Sequence, residues 1–94
     1  MTENERQLAR HALGLPNKQR KSYRNHFVAG PGHSDFEAWL AMVESGHATR
    51  RKGNELSGGD DVFWLTEKGA RTALAVREKL DVEDFPIEVR KSGI

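Results

Sequence analysis

The chain has 94 residues, a formal net charge of +1, 36% hydrophobic and 31% charged residues, and no cysteine. That length supports one small domain with a thin core, and the composition is more polar than the usual apolar share of about 45–50%. Disulfides, thiol catalysis and thiolate metal sites are excluded, and no apolar run approaches the roughly 18 residues of a membrane span.

The first five residues, Met1-Thr2-Glu3-Asn4-Glu5, hold no cationic lead before an apolar stretch. No secretory signal is therefore expected, and the chain reads as cytoplasmic. Thr2 is placed to cap a first helix, with Glu3 and Glu5 near the positive end of its dipole. Leu8, Ala9, Ala12, Leu13 and Leu15 follow as a narrow apolar stripe, which Gly14 and Pro16 stop. Residues 16–33 have Tyr23, Phe27 and Val28 as apolar anchors, and a short helical turn is expected around residues 18–26. Gly30-Pro31-Gly32 ends this segment as a turn.

Ser34-x-x-Glu37 reads as a capping box at the head of a second helix. Phe36, Trp39, Leu40 and Val43 then recur at i, i+3, i+4 and i+7, one apolar face, and Gly46 supplies the stop. Residues 48–52 and 62–65 read as paired strands across a loop containing Gly53-Asn54 and Gly58-Gly59. Thr66 opens a third, long helix with Ala70, Ala73, Leu74 and Leu80 facing inward. Residues 85–89 alternate in polarity and are a candidate third, short strand, confined to a sheet edge by Pro86.

Charge is unevenly placed. Between Arg6 and Ser34 no acidic residue occurs, while Lys18, Arg20, Lys21 and Arg24 lie close together. A cationic block in a nearly neutral chain signals a polyanionic partner or, more plainly, a solvated basic loop. Tyr23 and His26, set among these cations, are suited to stacking on bases. Arg50, Arg51 and Lys52 add charge on the first strand, where alternation points Arg50 and Lys52 one way and Arg51 the other. About four phosphate contacts would give a salt slope near −4 on duplex DNA, which implies weak and poorly selective binding.

The run Leu40-Ala41-Met42-Val43-Glu44-Ser45-Gly46-His47-Ala48-Thr49-Arg50-Arg51 resembles the end of the recognition helix and the first wing strand of MarR-type winged-helix regulators. Val62-Phe63-Trp64-Leu65-Thr66-Glu67-Lys68-Gly69-Ala70 is similar to their second wing strand and the helix beyond it. The likeness covers about residues 39–74. It implies a wing between two helices, DNA contact through the wing and the recognition helix, and a homodimer. The whole chain also resembles small uncharacterised proteins carried by phages and prophages. The second helix begins Ser34-Asp35-Phe36-Glu37, and these carboxylates would face phosphates, so little base selectivity is expected.

Other constellations are weaker. His11, His26, His33 and His47 contain no i, i+4 pair, and a zinc site would need all four to converge. No serine lies in a nucleophile-elbow pattern. The segment Gly30-Pro31-Gly32-His33-Ser34 reads as a turn before a self-capped helix rather than an anion cradle. In the strand at 62–65, Phe63 and Leu65 share one face and Val62 and Trp64 the other, and both faces are apolar. Either residues 85–89 cover Trp64, or Val62 and Trp64 form a patch for a partner.

The expectation is an α+β, winged-helix-like single domain, 1–94, with three helices, a β-hairpin and a candidate third strand. Its function reads as accessory or regulatory nucleic-acid binding through Lys18, Arg20, Lys21, Tyr23, Arg24, Arg50 and Lys52. The alternative is a protein-interaction module, such as a phage-encoded modulator of a host protein, acting through Val62 and Trp64. No enzymatic activity, cofactor, metal or membrane association is expected.

Overall fold

The computed structural model describes residues 1–54 and 58–85. In chain order the elements are α1 (Glu3–Leu13), β1 (Phe27–Ala29), α2 (Phe36–Glu44), β2 (Ala48–Arg51), β3 (Asp61–Leu65) and α3 (Glu67–Ala73). Among the described residues, three helices and a three-stranded antiparallel sheet make this an α+β fold, with strand order β1-β3-β2.

The start of α1 is a full capping box. Glu5 N–H donates to Thr2 Oγ1 at 3.0 Å, and Thr2 N–H donates to Glu5 Oε1 at 2.9 Å. Each bond satisfies a donor that the helix itself leaves free. Gly14 ends α1 in the left-handed region at φ 81, a conformation glycine adopts without a Cβ penalty. The side chain of Tyr23 packs directly over it, in the space a Cβ would need.

The helical turn expected around residues 18–26 does not form. Arg20 sits at φ 55, outside the right-handed region a helix needs, and Asn17 Nδ2 holds the Gly14 and Lys21 carbonyls at 3.0 and 2.8 Å. Beyond this turn the chain runs extended into β1, which supplies a third strand of the sheet. The candidate strand at 85–89 falls mostly on residues 86–89, which lie outside the described residues, while Phe85 is buried. Asn25 prolongs the β1 edge with its side chain. Its Oδ1 accepts from Leu65 N–H at 2.8 Å, and its Nδ2 donates to the Leu65 carbonyl at 3.0 Å. One side-chain amide thereby does the work of a ladder residue.

The helix α2 starts differently from the expected pattern. Its N-cap is Asp35, at φ −92 and ψ −4, and no side chain caps it. A capping box needs an extended N-cap residue. Here the turn closed by His33 N–H on the Gly30 carbonyl (2.8 Å) continues through residues 34 and 35, and His33 Nδ1 accepts from Asp35 N–H at 3.1 Å. Phe36, Trp39 and Met42 are buried, while Leu40 and Val43 pack half-buried at the flank. At the far end, Gly46 N–H donates to Val43 and His47 N–H to Met42, at 3.1 and 2.9 Å, the paired bonds of a Schellman stop.

The hairpin follows its expected pairing, with Ala48 opposite Leu65, Thr49 opposite Trp64, Arg50 opposite Phe63 and Arg51 opposite Val62. Phe63 and Leu65 enter the core beside Trp39, Leu13 and Met42. Trp39 stacks on Phe63 with centroids 5.5 Å apart and lies 5.2 Å from Phe27, while Phe36 meets Phe63 edge-on at 6.0 Å. Such pairs add about 0.5–1.5 kcal/mol each beyond the area they bury.

Thr66 caps α3 as expected, accepting from Gly69 N–H at 3.1 Å. Gly69 lies so close to the His47 carbonyl that any side chain there would collide with it. The helix is short, however, ending at Ala73 with Leu74 extended at ψ 143. Leu80, expected on this helix, instead packs from the segment beyond it. The cause is tertiary. Arg10 Nη1 donates to the Ala73 carbonyl at 3.0 Å, and Arg10 also grips Glu78, whose carboxylate accepts from Ala75 N–H at 2.7 Å. The chain therefore turns back where a helix would have continued.

Ahead of α2 stand α1, an extended segment and β1.

Candidate functional site

Two distant pieces of chain join at Lys21 and Lys79. Ser22 N–H donates to the Lys79 carbonyl and Lys79 N–H to the Arg20 carbonyl, both at 2.9 Å, forming a parallel bridge outside the main sheet. Ser22, between the exposed Lys21 and Tyr23, is buried, and its Oγ accepts from Asp81 N–H at 2.8 Å. The segment carrying Lys18, Arg20 and Lys21 is thereby fastened beside one carrying Arg77 and Lys79. Lys18, Arg20, Arg77 and Lys79 are exposed and form no ion pair among the described residues. Lys21 lies 4.0 Å from Asp81, a loose exposed pair. Asp81, Glu83 and Asp84 follow on the C-terminal side and limit the net positive field.

A cavity of about 530 Å3 opens at this junction. Its apolar lining is Leu74, Leu80, Val82 and Phe85, and its cationic lining is Lys21, Arg71 and Lys79. Glu78 also lines it, but both carboxylate oxygens are held by Arg10. Arg71 is steadied by Glu67 at 3.0 Å.

The other residues expected to bind nucleic acid are spread further and are partly committed. Arg24 is half-buried and donates through Nε and Nη2 to the His11 carbonyl, at 3.2 and 2.7 Å. It thus caps the C-terminus of α1, where a cation is favoured by the dipole. Its guanidinium also lies 5.4 Å from the ring of Tyr23, which is 62% exposed. Arg50 Nε donates to the buried Asp61 carboxylate, and the guanidinium covers the Phe36 ring at 5.5 Å. Asp61 also accepts from Gly53 N–H at 2.8 Å, and that bond together with Arg50 holds its carboxyl below the usual carboxylate range. Arg50 is therefore a strut of the hairpin. Lys52 is exposed beyond the end of β2, near Asp61.

Arg77, Lys79 and the cavity escaped the sequence reading. The sequence reading runs the third helix through this segment to Leu80, and nothing local assigns Arg77 and Lys79 to Lys21.

The outer face of the sheet presents Val62 and Trp64, both half-buried, beside Val28, which is 47% exposed. Val28 and Arg51 flank Val62 in register, and Thr49 lies opposite Trp64. The exposed side of α2 carries Glu37, Ala41 and Glu44, with no cation.

Among the histidines, His11 and His33 meet the Phe27 ring edge-on, at 5.6 and 6.2 Å. His47 Nδ1 lies 2.7 Å from Ser45 Oγ, and burial, then the nearby N-terminal amine and Lys68, push its pKa below the ordinary value. Among the described residues no three histidine, aspartate or glutamate side chains converge as metal ligands, and no helix is long and apolar enough to cross a membrane.

The class these features define is a small α+β domain with a basic junction and an apolar cavity beside it. Comparison of the chain with family models, curated proteins and solved structures finds no match.

Proposed function

We propose that this protein is an accessory nucleic-acid-binding domain that engages the phosphate backbone with little base selectivity. The observation that carries the reading is the Lys21–Lys79 bridge, which unites cations from both ends of the chain on one surface. Lys18, Arg20, Arg77 and Lys79 supply charges not spent on internal ion pairs. Low selectivity follows from α2, whose Glu37 and Glu44 would repel phosphates in a groove. The β2–β3 hairpin answers to the wing of the winged-helix likeness, and Lys52 near its tip would add a secondary contact. The reading places the protein in the cytoplasm.

The test is a salt series of anisotropy titrations with labelled duplex and single strands of mixed sequence. Affinity should fall steeply with salt, with a slope of about −3 to −4 for four phosphate contacts. Absence of binding at tens of micromolar protein in low salt would discard the reading. The half-exposed Val28, Val62 and Trp64 face favours the second reading, a protein-interaction module. That reading is tested by whether Val28→Lys abolishes capture of a partner while leaving the fold intact.

A further inference from the structure

The geometry points to single-stranded nucleic acid as the ligand class, with one unstacked base entering the cavity beside Lys21 and Lys79. This inference rests on the phosphate-binding reading and narrows it. A duplex keeps its bases stacked within and offers a protein surface mainly phosphate and sugar. Such a ligand leaves the floor of Leu74, Leu80 and Phe85 unused. A single strand instead alternates a charged phosphate with an apolar base face, and single-strand binders pair a cationic track with sites that take up bases.

The junction has both parts. Lys21 and Lys79 stand on the cavity wall, and Lys18, Arg20 and Arg77 lie next to them along the chain, outside it. The volume of about 530 Å3 lies within the usual ligand-site range of about 300–1,000 Å3. Glu78 presents no free carboxylate to repel the strand, because Arg10 and the Ala75 N–H occupy it. Tyr23 shares the exposed side of the extended segment with Lys21, so a neighbouring base has a ring on which to stack.

The test compares two labelled strands of equal length and charge with the full chain, by fluorescence anisotropy. One is an oligothymidylate of about twelve nucleotides, and the other carries the same backbone with abasic sites throughout. The wild type should bind the thymidylate about tenfold tighter than the abasic strand, as a stacked or buried base would provide. Val82 lines the cavity and is 47% exposed, so Val82→Met narrows the space without adding charge or an aromatic ring. This variant should lose part of the tenfold preference while binding the abasic strand as before, which also reports that it remains folded. Equal affinity of the wild type for both strands would overturn the base-binding inference and leave phosphate binding standing. A full preference retained by Val82→Met would place the base elsewhere and overturn it equally. If neither strand binds at tens of micromolar protein, both readings fail, and the cavity is better suited to an acidic peptide.

Discussion

Arg10 and Glu78 form a two-pronged ion pair across the fold, with Nη1 to Oε1 at 2.5 Å and Nη2 to Oε2 at 2.7 Å. Both side chains are largely withdrawn from water, at 11% and 7% exposure. The pair ties α1 to the turn after α3 and ends that helix through the Ala73 carbonyl. Arg10 holds the Glu78 carboxyl below the ordinary carboxylate range, against the opposing effect of burial.

Glu78→Gln should therefore destabilise the protein by about 3 kcal/mol near pH 7, the low end for breaking a buried pair. The folded-state pKa of Glu78 is depressed, so its contribution is complete above the unfolded value of about 4.3 and is lost as pH falls through the folded value. Urea unfolding of wild type and variant should show a gap at pH 7 that narrows steadily below about pH 4. A gap independent of pH would show that the ionised carboxylate is not its source.

Trp39 is fully buried between Phe63 and Phe27, yet its indole Nε1 has no hydrogen-bond partner among the described residues. Trp39→Ala should cost about 3–5 kcal/mol, enough to bring a small domain close to unfolding. Trp39→Phe removes the unsatisfied donor, an offset of about 1–3 kcal/mol against the lost volume. It should melt within a few degrees of wild type. A Phe variant as unstable as the Ala variant would show that the indole nitrogen finds a partner in solution.

Thr2, not Ser34, carries the reciprocal cap. Thr2→Ala should cost about 1 kcal/mol, whereas Ser34→Ala, on an exposed turn, should stay within about 0.5 kcal/mol. Chemical denaturation of the two single variants checks the order, and a larger loss at Ser34 would restore the cap to α2.

Arg24 separates structural from binding charge. Arg24→Gln removes a charged donor from the His11 carbonyl and should cost about 1 kcal/mol, with the salt slope of strand binding unchanged. Changing Lys18, Arg20 and Lys21 together to Gln should leave each site within about 0.5 kcal/mol in stability but flatten the single-strand slope by about 2. A steeper loss of slope from Arg24 than from the triple variant would reverse these assignments.

The sequence by itself determined what local chemistry decides. The stop of α1 at Gly14, the Schellman end of α2 at Gly46, the Thr66 cap and the hairpin pairing all depend on residues a few positions apart or on strand alternation. The Thr2-x-x-Glu5 box was equally legible, since it shows the same spacing as the Ser34-x-x-Glu37 pattern. Only the tertiary structure decided between those two, because a cap depends on backbone conformation as well as residue type, and the turn after Gly30 sets Asp35 in the helical region. The length of α3, the strand β1 and the roles of Arg24 and Arg50 were likewise settled by contacts between distant residues. So was the candidate site. Lys21 and Lys79 become neighbours through two backbone bonds that satisfy groups left unpaired by any local element, and such pairings leave no periodic trace in the chain.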